Sequence, residues 1–260
     1  MNIGVLISPH ISSFQVNVLQ KILDDPGFKI KLAVIDDRPA DKISKKLKRN
    51  IRHRRGGYIM IMASQAFSSR KTKLLAEDFF RSKNIDVLKA KNAYSLETIS
   101  TIDTYFLDVL ILLGGFGIIR KPLIHNCPNG VLSYHFGNIR KYRGGPPTFW
   151  ELFNGRSDMG LTVQKLTERL DCGIPIVEKT IEINISDTLK SLRNRAYEAS
   201  QDMMYKALQN ISNKKFKPET IQHYGKIYTL PNFEQWLRLN YRIVKRRVIS
   251  RIKPSYYKRK

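Results

Sequence analysis

With 260 residues, 42% of them apolar, the chain is long enough for one substantial domain, or for one domain with a small appendage. Its 46 Lys and Arg residues against 22 Asp and Glu residues give a formal net charge of +24. Such a charge predicts attraction to polyanions, namely nucleic acid, an anionic membrane face or phosphorylated substrates, and carries no information on fold. The two cysteines, Cys127 and Cys172, lack a second pair and metal-type spacing, which argues against a disulfide framework or a metal site.

The N-terminus lacks the charged start and the long apolar stretch of a signal peptide. No segment approaches the roughly 18 uninterrupted apolar residues of a membrane span. The low cysteine content favours a reducing compartment. We therefore expect a cytoplasmic protein.

Short apolar runs alternate with helix-spaced patterns over the first half of the chain. Phe14, Val18, Leu19 and Ile22 recur at helical spacing, and Ser12 or Ser13 would cap that helix. Runs typical of buried strands are Ile3–Ile7, Ile30–Ile35, Asp86–Leu88 and Asp108–Leu113, with a weaker βα unit expected from Ile59–Met62 onward.

This order of elements predicts an α/β fold with a mostly parallel, doubly wound sheet covered on both faces. Ligands of such sheets bind beyond the carboxyl ends of the strands. That rule places the loops after Ile7, after Leu113 and around Ser133–His135 near one another.

Residues 181–210 predict a short strand and a helix, whose apolar side carries Leu189, Leu192, Ala196 and Ala199. Beyond Lys214 the composition changes, and residues 241–260 hold nine Lys or Arg and no acid. Apolar residues there recur three and four positions apart, which predicts a basic amphipathic helix ending near Pro254. Its expected apolar side consists of Phe233, Leu237, Tyr241, Val244, Val248 and Ile252.

Two interpretations of this C-terminal segment stay open. One is a terminal helix that packs on the body through that apolar side and leaves a solvated basic tail. The other is docking to an anionic membrane surface or to nucleic acid. A second basic cluster, Lys42–Arg55, is more typical of a mobile solvated loop than of a binding site.

Chemistry is concentrated between residues 131 and 176. His135 follows the apolar lead Val131-Leu132 and precedes a loop rich in glycine and proline, and Asp171 lies in the turn Leu-Asp-Cys-Gly173. Either residue alone is more often structural, the aspartate as a support of its turn. Together they supply what amine attack on a formyl group needs, namely an oxyanion donor and a base.

The order of motifs resembles the folate-dependent formyltransferases, the family of glycinamide ribonucleotide transformylase, methionyl-tRNA formyltransferase and the nucleotide-sugar N-formyltransferases. The resemblance is dense over about residues 109–180, weaker before it and absent after about 215. The matching fragments are Ser133-Tyr-His135, Ile139-Arg-Lys-Tyr-Arg-Gly144, Asn154-Gly155, Gly160-Leu-Thr-Val163 and Leu170-Asp-Cys-Gly173.

The resemblance implies a Rossmann-like formyltransferase-like catalytic domain over residues 1–212 and a short, partly helical basic extension over 213–260. It implies 10-formyltetrahydrofolate as formyl donor, with His135 and Asp171 as catalytic residues and Ser133 as a third that supplies a weaker oxyanion contact. The positions that correspond to the family's pterin pocket are Leu113, Gly114, Gly115, Phe116, Gly117, Ile118, Thr167 and Leu170. Candidate contacts to the acceptor are Ser12, Ser13, Tyr142 and Arg143.

Ser133 departs from the family, which has an asparagine whose amide donates to the formyl oxygen. A serine hydroxyl is a single donor on a shorter arm, so it substitutes only if the ligand or a water closes the gap. Three outcomes follow: an active enzyme with altered geometry, a different reaction on a formyl carrier, or a binding fold without catalysis. Retention of His135 and Asp171 favours activity.

We expect formyl transfer to a primary amine, carried by an amino sugar nucleotide or another phosphorylated small molecule. The C-terminal barrel of the tRNA enzyme needs more chain than follows residue 215, which weakens methionyl-tRNA as the acceptor. The alternatives are a polyanion-binding protein that reuses the fold and a formyl-folate hydrolase. The basic tail would suit peripheral attachment at the inner face of the membrane.

Overall fold

Eleven strands and nine α-helices make up the computed structural model over the residues it describes, which are 1–68, 74–169 and 171–252. The strands are β1 (Asn2–Ile7), β2 (His10–Ile11), β3 (Lys29–Asp36), β4 (Leu74–Leu75), β5 (Asp86–Ala90), β6 (Val109–Leu112), β7 (Val131–His135), β8 (Tyr142–Gly144), β9 (Asp158–Lys165), β10 (Ile174–Glu182) and β11 (Lys226–Tyr228). The helices are α1 (Ser13–Leu23), α2 (Ile43–Arg52), α3 (Gly56–Ser68), α4 (Ala76–Arg81), α5 (Leu96–Asp103), α6 (Phe149–Phe153), α7 (Leu189–Ser200), α8 (Met203–Ser212) and α9 (Phe233–Ile252).

Seven strands form the central sheet in the order β10-β9-β7-β6-β1-β3-β5. The five strands from β7 to β5 are parallel, whereas β9 is antiparallel to β7 and β10 is antiparallel to β9. The expected mostly parallel α/β sheet is therefore confirmed. The antiparallel edge adds a long hairpin that begins well before residue 181, where the sequence indicated a short strand.

Both faces of the parallel strands are buried, which explains their uninterrupted apolar sequences. On β1, Ile3, Val5 and Ile7 join the core cluster that contains the apolar side of α1. Leu6, on the opposite face, joins a second cluster with Ile102 of α5. The strand thus contributes alternate residues to two cores.

The strand register brings the expected loops to one edge of the sheet. Leu6 of β1 pairs with Leu112 of β6, and Leu112 pairs with Ser133 of β7. Ser133 also lies opposite Gln164 of the antiparallel strand β9. The carboxyl halves of three parallel strands therefore meet the C-terminal end of β9 at Ser133.

Two predicted segments differ from the structure. Ile59–Met62 lies inside helix α3 and forms no strand. A run of four apolar residues fits a buried strand and a buried helix equally well, and here the helix continues for 13 residues. The basic cluster Lys42–Arg55, expected as a loop, contains helix α2.

The C-terminal amphipathic helix forms as predicted over Phe233–Ile252, and its expected end near Pro254 lies outside the described residues. The predicted packing side is wrong. Leu239 and Ile243 are the residues that enter the main core cluster, at 0% and 6% exposure. The six residues expected to pack are all exposed: Phe233, Leu237, Tyr241, Val244, Val248 and Ile252.

In the part of the chain that the structure describes, no helix is both long enough and apolar enough to cross a bilayer. The division into residues 1–212 and 213–260 stays a prediction. The structure shows that α9 contributes to the same core cluster as β1.

A matched pair of leucines tests the orientation of α9. Leu239→Ala should lower the free energy of unfolding by about 2–5 kcal/mol, because it leaves a cavity in the core. Leu237→Ala, at a side chain that is 47% exposed, should cost no more than about 0.5 kcal/mol. Urea unfolding of both variants measures the difference, and equal losses would show that the helix packs through another face.

Candidate active site

Ser133 and His135 lie at the end of β7 and line a cavity of about 420 Å³. Residues from β6, β9 and two loops complete its wall. These are Leu112, Gly117, Ile118, Ile119, Arg120, Tyr134, Gln164, Leu166, Thr167, Glu168, Arg169, Asp171 and Gly173. The structure thus brings the three predicted catalytic residues, Ser133, His135 and Asp171, to one cavity.

His135 is buried, and a backbone carbonyl holds its ring. Nε2 lies 2.8 Å from the carbonyl oxygen of Tyr142, and since a carbonyl only accepts, Nε2 carries a proton and donates. Burial lowers the pKa of His135, while the hydrogen bond to Tyr142 and the charge of Asp171 oppose that shift. The imidazole is therefore neutral at pH 7, and Nδ1 is its proton-accepting nitrogen.

The charge of Asp171 raises the pKa of His135. The hydrogen bond that the structure describes for the imidazole goes to the Tyr142 carbonyl. The aspartate occupies a left-handed backbone conformation, with φ at 49°, which Asp tolerates better than most residues. The hydroxyl of Thr167 donates to the carbonyl of Cys172 at 3.0 Å and so closes the loop around Asp171. Leu170, predicted to contact the pterin, lies outside the described residues.

Gln164 is a site residue that the sequence analysis missed. Its side chain is 3% exposed, it lines the cavity, and its Oε1 atom has no hydrogen-bond partner among the described residues. The Gln164 side chain fits here because residue 173 is a glycine, since a Cβ at position 173 would lie 2.4 Å from Oε1. A buried carboxamide oxygen without a partner costs free energy, so this position conflicts with ordinary packing rules and marks Gln164 as a candidate site residue.

The glycine-rich loop after β6 turns sharply around the cavity entrance. Gly114, Gly115 and Gly117 have positive φ values, which glycine adopts without strain, and Phe116 between them has a left-handed φ of 52°. The carboxylate of Asp36, at the end of β3, accepts a hydrogen bond of 2.7 Å from the backbone N–H of Phe116. Asp36 therefore anchors this loop. In the sequence, its position directly after the predicted strand Ile30–Ile35 is the feature that could have identified it as a site residue.

The predicted pterin-contact residues of this loop divide between two cavities. Gly117 and Ile118 line the first cavity, whereas Leu113, Gly114 and Gly115 line a second one of about 400 Å³. Phe116, expected as an apolar wall, packs in the second core cluster at 4% exposure and faces neither of these two cavities.

The second cavity adjoins the first at Leu112, Ser133 and Tyr134 and receives the N-terminus of α1. Ser12 caps this helix through a capping box with Gln15, and both residues line the cavity. Ser13, the first residue of the helix, is exposed. Unpaired N–H groups at a helix N-terminus favour anions, so this cavity suits a phosphate.

Tyr142 and Arg143, predicted to bind the acceptor, have intramolecular partners. Tyr142 stacks on Tyr228, and its backbone carbonyl holds His135. The guanidinium of Arg143 donates to the Gly225 carbonyl at 2.6 Å and to the sulfur of Cys172. These contacts fasten strand β8 beside the cavity, and a role of the two side chains in binding stays a prediction.

Among the described residues there is no group of three or more His, Cys, Asp or Glu side chains that could hold a metal ion. The side chains that face the first cavity instead combine a neutral imidazole, a carboxylate, a hydroxyl and a carboxamide. This set can accept a proton from an attacking group and donate hydrogen bonds to a carbonyl oxygen. The fold and the site define a Rossmann-like α/β protein with an acid–base cleft at the carboxyl ends of its strands.

The formyl transferase family model matches residues 29–208, so the chain belongs to that family, as its motifs indicated. The methionyl-tRNA formyltransferase of Caldicellulosiruptor saccharolyticus is 25% identical over 205 residues, covering 77% of this chain and 57% of the relative. The chain spans about half the length of the curated relatives it matches.

Solved structures share the fold at low sequence identity. The N-formyltransferase from Helicobacter canadensis, in complex with folinic acid and dTDP-3-aminofucose, has a TM-score of 0.56 and 16% identity, covering 88% of this chain and 71% of that one. A formyltetrahydrofolate deformylase from Pseudomonas syringae pv. tomato has a TM-score of 0.60 and 13% identity, covering 85% and 66%. At these identities the likeness shows the fold alone.

The environment of His135 makes its titration a test of the site geometry. We expect the pKa of His135, followed by NMR, to lie below its ordinary value of 6.5. Because the folded state then binds fewer protons than the unfolded chain, stability should fall as the pH drops from 6.5 toward the folded pKa. Asp171→Asn should lower the pKa of His135 further, since it removes a charge that favours the imidazolium.

Glu168→Gln is the matched control for this titration. Glu168 also lines the cavity, but its carboxylate pairs with Lys121 at 2.6 Å. The control should leave the pKa of His135 unchanged. A pKa at or above 6.5 in the unmodified protein, or no response to Asp171→Asn, would contradict the described geometry.

Proposed function

We propose that this protein transfers a formyl group from 10-formyltetrahydrofolate to a primary amine. The observation that carries the proposal is the meeting of Ser133, Gln164, His135 and Asp171 around one cavity in a chain of the formyl transferase family. These groups are the proton acceptor and hydrogen-bond donors that acyl transfer to an amine requires.

The first cavity has features that suit the folate donor. Its volume of about 420 Å³ falls in the range of small-molecule sites. Gly117, Ile118 and Thr167 line it and offer backbone groups to a pterin. When bound, 10-formyltetrahydrofolate supplies a formyl group on a nitrogen that can leave.

Each residue then has a role that follows from its surroundings. His135 takes the proton of the attacking amine on Nδ1, because its Nε2 is already a donor to Tyr142. Asp171 stabilises the imidazolium that results, through its charge. The hydroxyl of Ser133 donates to the formyl oxygen as charge develops there.

Gln164 brings a carboxamide to the cavity from β9, the strand that pairs with β7 at Ser133. The Nε2 group of this carboxamide is a hydrogen-bond donor, as the amide of an asparagine is. Family members carry an asparagine at the position of Ser133. We propose that the donor which serine lacks is supplied from β9 by Gln164.

The acceptor is proposed to be an amino sugar nucleotide or another phosphorylated amine. The second cavity adjoins the first at Ser133, so an amine there can reach the formyl group. The N-terminus of α1, with Ser12 and Ser13, suits the phosphate of such an acceptor. The Helicobacter canadensis structure that shares this fold contains both folinic acid and a nucleotide amino sugar. The net charge of +24 further supports an anionic partner.

Hydrolysis of the formyl folate is the second candidate. Ser133 lines the cavity, and its described hydrogen bond is a long one of 3.4 Å to the Tyr134 carbonyl. Such a hydroxyl can hold a water in the place of the amine. The fold shared with a formyltetrahydrofolate deformylase is compatible with this reaction.

An assay with the folate donor and a panel of amines distinguishes these reactions. We expect formylation of at least one phosphorylated amine, with kcat lowered by about 10²–10⁴ in His135→Asn because the proton acceptor is lost. Formate release without an acceptor would instead identify the hydrolase. If neither product forms and the protein does not bind the folate, the remaining candidate is a polyanion-binding protein.

Gln164→Leu tests the role of the buried carboxamide. We expect kcat to fall by about 10²–10³, as for loss of one oxyanion donor. Removal of the unpartnered polar atom should leave the free energy of unfolding equal or raise it by about 1–3 kcal/mol. A kinetic loss without a stability loss separates catalysis from packing.

Ser133→Asn in the Gln164→Leu background should restore part of the lost activity, because it returns a carboxamide from the other strand. Gln209→Leu, at an exposed position on α8, is the control and should have ordinary activity. Full activity of Gln164→Leu would remove Gln164 from the mechanism and leave the rest of the site standing.

A further inference from the structure

Helices α2 and α9 expose their apolar residues to solvent. Of the sixteen large apolar side chains that are exposed among the described residues, nine lie on these two helices. On α2 they are Ile43, Leu47 and Ile51, and on α9 they are Phe233, Leu237, Tyr241, Val244, Val248 and Ile252. We call the two sets the exposed stripes.

Helix α2 differs from an ordinary surface helix because it buries a polar residue and exposes its apolar ones. Its buried residue is Asn50, at 3% exposure, which donates to the carbonyl of Lys46 and contacts the sulfur of Met62 on α3. Ile43 and Ile51 are 83% and 60% exposed. The spacing of four residues between Ile43, Leu47 and Ile51 places them along one side of the helix.

Helix α9 has two apolar sets, and it buries the smaller one. Leu239 and Ile243 pack into the core, while the stripe from Phe233 to Ile252 runs along the helix at spacings of three and four. A stripe over 20 residues is about 30 Å long. That is a large apolar surface to leave in water.

Both helices that carry the stripes are basic in composition. Helix α2 contains five basic residues and no acid, and α9 contains six basic residues and one acid, Glu234. Helix α3 connects them, because it contacts α2 through Met62 and packs on α9. The Tyr58 N–H of α3 also donates to the carbonyl of Pro231, two residues before α9, at 3.1 Å.

We propose that the exposed stripes of α2 and α9 dock on an anionic lipid bilayer, with the apolar side chains in the interface and Lys and Arg at the headgroups. Apolar residues in line, flanked by basic ones, are the chemistry of helices that lie in a membrane surface. Anionic headgroups attract such basic helices at close range. Docking accounts for the charge and for the exposed stripes together.

Two other occupants match less of the surface. A second copy of this chain would bring its own net charge of +24 and the same basic helices, so like charges would oppose the contact. Nucleic acid would satisfy the basic residues through its phosphates. It would leave the aliphatic side chains of both stripes without a partner, since they cannot stack on bases.

Vesicle co-sedimentation of the full chain tests the proposal. The probes are phosphatidylcholine vesicles with and without phosphatidylglycerol, at low and high salt. Binding should require phosphatidylglycerol and weaken with salt. The double variant Leu47→Gln/Val248→Gln, with one change in each stripe, should lower the partition coefficient by about tenfold or more.

Leu96→Gln is the matched control, because Leu96 is 89% exposed on α5 and lies in neither stripe. It should bind vesicles as the unmodified protein does, and all three proteins should give the same circular dichroism spectrum. Absence of binding to anionic vesicles, or equal binding by the double variant, would overturn the proposal. Two other results for the double variant would also overturn it. One is a change from dimer to monomer, and the other is loss of duplex DNA binding while vesicle binding is retained.

Discussion

The pairing of β7 is the constraint on which the site depends. This strand is parallel to β6 on one side and antiparallel to β9 on the other. The parallel side brings the carboxyl-end loops of β1 and β6 to Ser133, as in other sheets of this kind. The antiparallel side sets Gln164 opposite Ser133 and Thr162 opposite His135. A shift of one residue in this register would turn the side chains of Ser133 and His135 to the opposite face.

Burial gives the site its chemistry at a cost in stability. The same low-polarity surroundings lower the pKa of His135 and leave Gln164 Oε1 without a partner. Both effects are unfavourable for an empty folded protein, because a buried polar group prefers a partner. The neutral imidazole is the form of His135 that can accept a proton, so part of this cost serves the proposed chemistry. Residues that conflict with folding rules are expected at functional sites for this reason.

Much of this arrangement was predictable from local sequence. Buried strands are visible as Val, Ile and Leu runs, and the motif around His135 and Asp171 indicated the cleft. Gln164 was not predictable, because its importance comes from a cross-strand neighbour and from the room at Gly173. The face of α9 was predicted wrongly, since the helix carries two apolar sets and spacing cannot tell which one is buried. The four-residue run Ile59–Met62 was ambiguous for the same lack of tertiary information.

Family membership, the cleft and the basic helices support two proposals: that Gln164 supplies the donor that Ser133 lacks, and that the exposed helices meet a membrane. A crystal structure with bound 5-formyltetrahydrofolate tests the central claim most directly. We expect the pterin in the first cavity, with the carboxamide of Gln164 in hydrogen-bond contact with the ligand and the formyl group beside Ser133 and His135. A folate bound elsewhere, or a Gln164 side chain without contact to the ligand, would contradict this account.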